Sequence, residues 1–68
     1  MSQEQPRSLK AWRRALRCNQ RDAARLLRLT QSHYSKIERG LIAPRPKIAK
    51  RLMRKTGVSL EAILGIAS

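Results

Sequence analysis

Two helix-starting signals set close together leave the middle of this chain few ways to fold. Asn19 and Thr30 are both favoured N-cap residues, and each precedes a run with helical spacing of apolar side chains. Asp22, three residues after Asn19, resembles the second half of a capping box and suits the positive end of a helix. A helix over 20–27 has Ala23, Ala24 and Leu27 on its inner face and Arg21, Arg25 and Arg28 on its outer one. The small alanines let another helix approach closely. A further helix over 31–39 is stapled at its start by Leu29 and Tyr34 and stopped by Gly40. Only Arg28, Leu29 and Thr30 join the two. Short helices with so tight a join must cross steeply, and that arrangement is a helix-turn-helix.

The rest of the chain supplies helices around this unit. Residues 1–7 are polar with one proline and read as a flexible arm, leaving 8–68 as the folded domain. Ser8 caps a first helix over 9–17, whose Leu9, Trp12 and Leu16 form a buried stripe opposite Lys10, Arg14 and Arg17. Pro44 and Pro46 fix the loop "GLIAPRP", and Pro46 opens a helix over 46–55. Ile48, Ala49, Leu52 and Met53 are its core face, and Lys47, Lys50, Arg51 and Arg54 its opposite face. Gly57 ends it, and Ser59 caps a short helix over 60–64 that buries Leu60, Ile63 and Leu64. No strand signal and no repeat is present. The expected fold is all-α, with five short helices.

Charge narrows the function. Sixteen Lys and Arg stand against four Asp and Glu, a net charge of +12. A surface built only for solubility mixes signs, so this imbalance points to a polyanion, with nucleic acid ahead of an anionic membrane. Trp12 and Tyr34 are the only aromatic residues. They are too few for a base-stacking platform, which favours duplex DNA over single strands or RNA loops. One cysteine excludes an internal disulfide and a cysteine-based zinc site. One histidine and four acids make a metal cage or an enzymatic nucleophile–base–acid set improbable, so neither cofactor nor catalysis is expected. No apolar run reaches signal-peptide or membrane length, and an intracellular, cytoplasmic protein is expected.

The segment "NQRDAARLLRLTQSHYSKIERG" resembles the helix-turn-helix core of the XRE family, which includes phage Cro and repressor proteins. Gln20, Ala24, Ser35, Glu38 and Gly40 meet the family pattern of Gln, Ala and Ser-x-x-Glu-x-Gly. Pro44, Gly57, Val58, Ser59, Leu60 and Glu61 are similar to the family's fourth and fifth helices. The resemblance spans about 9–64 and implies a compact five-helix domain of the phage-repressor type, in a prokaryotic, phage or plasmid setting. Three positions depart from it: Arg17 and Arg28 stand where glycine is usual, and Ala23 where leucine is common. Either Arg28 takes a positive φ, at a cost of roughly 1 kcal/mol, or the turn is shaped differently.

The resemblance assigns roles. The helix over 31–39 is expected in the major groove, with Gln31, Ser32, Ser35 and Lys36 reaching base edges. Gln20, Thr30, Arg13, Arg39, Arg45 and Lys47 are expected at phosphates. Arg13 and Glu38 are expected as an ion pair that orients the reading helix. Cys18 and Trp12 belong to the core. His33 is expected at the surface or flanking the DNA. Leu41 and Ile42 either cover the core or, with Leu64 and Ile66, form a dimer contact. Such a chain is expected to be a sequence-specific regulator of transcription, most simply a homodimeric repressor on a pseudo-palindromic operator. With no room for a ligand-sensing domain, control would come from concentration, cooperativity or a partner. The alternative is an antitoxin or co-regulator whose main role is to hold another protein.

Overall fold

Four polar side chains start four of the five helices in the computed structural model, which describes residues 5–65. The Ser8 hydroxyl accepts from the Ala11 amide at 3.1 Å and opens α1, Leu9–Ala15. Asn19 accepts from the Asp22 amide at 2.8 Å and opens α2, Gln20–Leu26. Thr30 accepts from the His33 amide at 3.1 Å and opens α3, Gln31–Glu38. Ser59 accepts from the Ala62 amide at 3.2 Å and opens α5, Leu60–Leu64. Each such bond satisfies an amide that the helix leaves unpaired and contributes about 1 kcal/mol. The remaining helix, α4, Pro46–Thr56, has no side-chain cap and starts on Pro46, whose missing N–H costs nothing there. All the described elements are helical, as expected.

The first three helices end alike. In each, the residue after the cap adopts the left-handed conformation, its N–H bonds back three residues, and the next N–H bonds back five. After α3 this residue is Gly40, at φ 76°, with Leu41 donating to the Lys36 carbonyl at 2.8 Å. After α2 it is Arg28, at φ 60°, with Leu29 donating to Ala24 at 2.8 Å. After α1 it is Arg17, at φ 57°, with Cys18 donating to Arg13 at 3.3 Å. The turn geometry is thus kept without glycine, and both arginines carry the strain of a positive φ.

The core gathers Leu9 and Trp12 of α1, Ala23, Ala24 and Leu27 around α2, and Tyr34 and Ile37 of α3. Ala49 and Leu52 of α4, Val58 and Ile63 complete it. Ala23 and Ala24 of α2, the helix that packs against α3, are fully buried, so a larger side chain at either would displace its neighbours. The fifth helix lies against α3 and α4. Cys18, Leu29, Ile48, Leu60 and Leu64 are half-buried at the edge of this cluster. Of the expected clasp of Leu29 with Tyr34, Tyr34 is buried in the core and Leu29 is half-covered against the same cluster.

Three expectations need correction. Leu16 is not part of the α1 stripe but is half-exposed, because α1 ends at Ala15 and the left-handed Arg17 turns the chain away. Met53 lies on the margin of α4 and is more exposed than a core residue. Leu60 and Leu64, and likewise Cys18 and Ile48, are only half-covered at the edge of the core, and Ile63 alone of α5 is buried. Thr56, a residue the periodicity passes over, is buried instead. Its hydroxyl donates to the Leu52 carbonyl at 2.7 Å and accepts from the Val58 amide at 3.0 Å, joining α4 to the chain beyond Gly57.

Candidate nucleic-acid interface

Tyr34 and Ile37 set the orientation of α3. Both are buried, so the helix must turn its other faces to solvent. Gln31, Ser32 and Lys36 are exposed, and Ser35 is half-exposed beside them. His33 is half-buried at the flank. Gln31 and Ser32 occupy the first turn, and the hydroxyl of the exposed Thr30 accepts from His33 while keeping its own hydrogen to give.

The far end of α3 is anchored by Glu38, whose side chain is only 3% exposed. Four donors fill its two oxygens. Arg13 of α1 donates from Nε to Oε2 at 2.8 Å and from Nη2 to Oε1 at 3.3 Å. Gln20, the first residue of α2, donates from Nε2 to Oε1 at 2.9 Å. The Tyr34 hydroxyl donates to Oε2 at 2.6 Å. Arg13 also donates from Nη1 to the Cys18 carbonyl at 3.2 Å, closing the α1–α2 loop. The expected Arg13–Glu38 pair is thus present as a two-pronged, largely buried contact, and it joins all three helices at one point.

Electrostatics follow from that packing. Burial pushes the Glu38 carboxyl upward, but the hydrogen bonds from Arg13, Tyr34 and Gln20 together outweigh it and hold the group below its ordinary value. Arg13 is raised, chiefly by its hydrogen bond to Glu38 and against the cost of burial. Tyr34 is raised by burial and then by its bond to the Glu38 carboxylate. Glu38 therefore stays ionised in a nearly dry position.

Gln20 faces two ways. One N–H goes to Glu38, and the second hydrogen of the same amide remains. Asn19, Gln20 and Arg21 border a shallow polar hollow whose other wall is Gln31, so the starts of α2 and α3 are neighbours. Periodicity alone places Arg21 on the outer face of α2 and Asn19 as its cap. Only the steep crossing of the helices brings them to Gln31.

Arg39, Arg45 and Lys47 are exposed around the passage from α3 into α4. Leu41, 60% exposed, and Ile42, 40% exposed, lie in the same passage and do not cover the core. Leu64 is packed against the core on one side, and Ile66 lies outside the described residues. On α4, Lys47, Lys50, Arg51, Arg54 and Lys55 surround a second hollow. The Arg51 Nη2 donates to the Arg28 carbonyl at 3.4 Å, so α4 lies against the turn between α2 and α3. The buried Nε of Arg51 has no hydrogen-bond partner among the described residues.

A family model described as Helix-turn-helix matches residues 9–63. The chain belongs to the XRE-type helix-turn-helix family. The match takes in all five helices up to Ile63 of α5, so the XRE-type unit here includes α1 and α4 as well as the turn. This is a family of DNA-binding regulatory domains rather than of enzymes. No curated protein and no solved structure gives a significant match. No helix of the described residues is long and apolar enough to cross a membrane. Among those residues no group of three or more His, Cys, Asp or Glu comes together as metal ligands would.

Proposed function

We propose that this XRE-type domain is a sequence-specific binder of double-stranded DNA that regulates transcription from the cytoplasm, most simply as a homodimeric repressor on a pseudo-palindromic operator. The observation that carries the reading is the exposed first turn of α3 beside the start of α2, with the helix fixed from behind by Glu38. In this arrangement α3 enters the major groove. Gln31 offers a donor–acceptor pair that suits adenine, Lys36 suits guanine, and Ser32 and Ser35 take shorter contacts. Gln20 gives its remaining amide hydrogen to a phosphate, supported by the unpaired N–H groups of the first turn of α2. Thr30, Arg39, Arg45 and Lys47 take further phosphates. Arg13 keeps two of its five N–H groups for the same purpose, since it gives two to Glu38 and one to Cys18.

The dimer rests on the exposed Leu41 and Ile42, which would pair with their copies or with Leu64 and Ile66. The same exposed pair also suits the second reading, an antitoxin or co-regulator that holds a different protein. Selection of bound duplexes from a random pool at stated salt tests the proposal. A consensus with two-fold symmetry is expected. Recovery of sequences without any consensus would remove the specific-regulator reading.

A further inference from the structure

Helix α4 carries five cations, Lys47, Lys50, Arg51, Arg54 and Lys55, and no acid. They are not spread around the helix. Lys47, Arg51 and Lys55 recur every four residues, with Lys50 and Arg54 one position ahead of the second and third, so all five border one hollow and are spread over about 12 Å of helix. Among the described residues the one ion pair is that of Arg13 with Glu38, so no carboxylate neutralises this face. A helix left in this condition repels itself, and solubility alone does not call for it.

We propose that this face of α4 extends the phosphate contacts beyond Lys47, and that its remaining cations hold the backbone of the same DNA duplex beyond the base pairs that α3 reads. The inference rests on the DNA-binding reading above. Two observations favour phosphate over an acidic protein. First, the face is continuous with the reading element: Arg51 is hydrogen-bonded to the carbonyl of Arg28, and Arg28 precedes the cap of α3 by two residues. Second, the hollow is lined by those five side chains alone, with no aromatic residue of the kind that anchors a protein interface. Phosphates need no such anchor. Arg28 adds a cation at the same junction, and it holds a left-handed position that glycine would fill without strain.

The test compares two triple variants that remove equal charge from exposed positions. One is Lys50→Gln, Arg54→Gln and Lys55→Gln on α4. The other is Lys10→Gln, Arg14→Gln and Arg17→Gln at α1. Each is titrated over a salt series with a duplex of the selected half-site alone, and with that duplex extended by about one helical turn, roughly 10 base pairs, at both ends. On the long duplex the α4 variant should lose about 2 to 3 units from the slope of log affinity against log salt. On the short duplex it should match the unmodified protein. The α1 variant should lose less than about one unit on both. An α4 variant indistinguishable from the unmodified protein on the long duplex would overturn the proposal and leave α4 to an acidic protein. Equal losses for both variants on both duplexes would overturn it too, as an effect of net charge alone. An unmodified protein that binds neither duplex overturns the DNA-binding reading itself, which the other outcomes leave standing.

Discussion

The junction around Glu38 and the outer face of α4 use arginine in opposite ways. At the junction one carboxylate is surrounded by donors from three helices, and Arg13 gives three of its five N–H groups to holding them together. On α4 five cations meet no anion. The first arrangement is satisfied within the chain, so its charge belongs to the fold. The second is satisfied only by something outside, so its charge belongs to a partner. Net charge alone does not separate the two kinds.

The largest expected effect breaks the junction. Glu38→Ala leaves the partly buried Arg13 guanidinium with only the Cys18 carbonyl and the Tyr34 hydroxyl with only the Leu9 carbonyl, 3.4 Å away, and should cost about 3–5 kcal/mol. A domain this small has little more than that in total, so the variant should be mostly unfolded by circular dichroism at ambient temperature. Arg54→Ala on α4 should stay within about 0.5 kcal/mol of the parent. Similar losses from both would erase the distinction.

Titration sharpens the same contrast more gently. Because Glu38 is held below its ordinary value, its contribution is complete well above about pH 4.3 and is lost as pH falls through that value and below it. Tyr34 is raised, so its contribution is complete below about pH 10 and is lost as pH climbs beyond. Chemical denaturation between pH 3 and 7, repeated on Glu38→Gln, is the check. The parent should weaken toward acid more steeply than the variant, and parallel curves would mean that Glu38 carries no such linkage.

On DNA, Gln31→Ala should lose roughly 1–3 kcal/mol on the best operator and relax preference at one position in each half-site, with non-specific binding nearly unchanged. Lys47→Ala should weaken all sequences alike and lower the salt slope by about one unit per protomer. Binding isotherms on operator and scrambled duplexes at several salt concentrations distinguish them. An equal loss for Gln31→Ala on both DNAs would remove α3 from the reading role.

The smallest effect is a gain. Arg28→Gly and Arg17→Gly each relieve a positive φ and should stabilise the domain by up to about 1 kcal/mol in thermal unfolding. For Arg28 the gain in stability should come with a loss of DNA affinity, and a variant improved in both would show that its cation has no task.

What was legible in the sequence was local. Ser8, Asn19, Thr30 and Ser59 each cap the helix expected of them, because a cap is decided within three residues. The span of α5 follows from Ser59 and the apolar run after it. The Arg13–Glu38 pair came from family resemblance. Its other members did not, since Gln20 and Glu38 are 18 residues apart and meet only through the fold. The Tyr34–Glu38 bond had a signal, a spacing of four along one helix, but a tyrosine at a core position reads as packing before it reads as a donor. Leu16 is misplaced by periodicity because helical periodicity does not say where a helix stops, and the left-handed end at Arg17 is signalled only by the family's usual glycine there.

The position of Glu38 has a consequence for how such a domain can diverge. The side chains that fix the pose of α3 lie behind it, and Gln31, Ser32 and Lys36 lie in front, exposed. Those three can be exchanged with little change in folding free energy, since surface replacements away from caps and cores cost little. A library varied at 31, 32 and 36 should therefore stay folded while its members choose different operators, whereas changes at 13, 34 or 38 would be removed before any operator was tried.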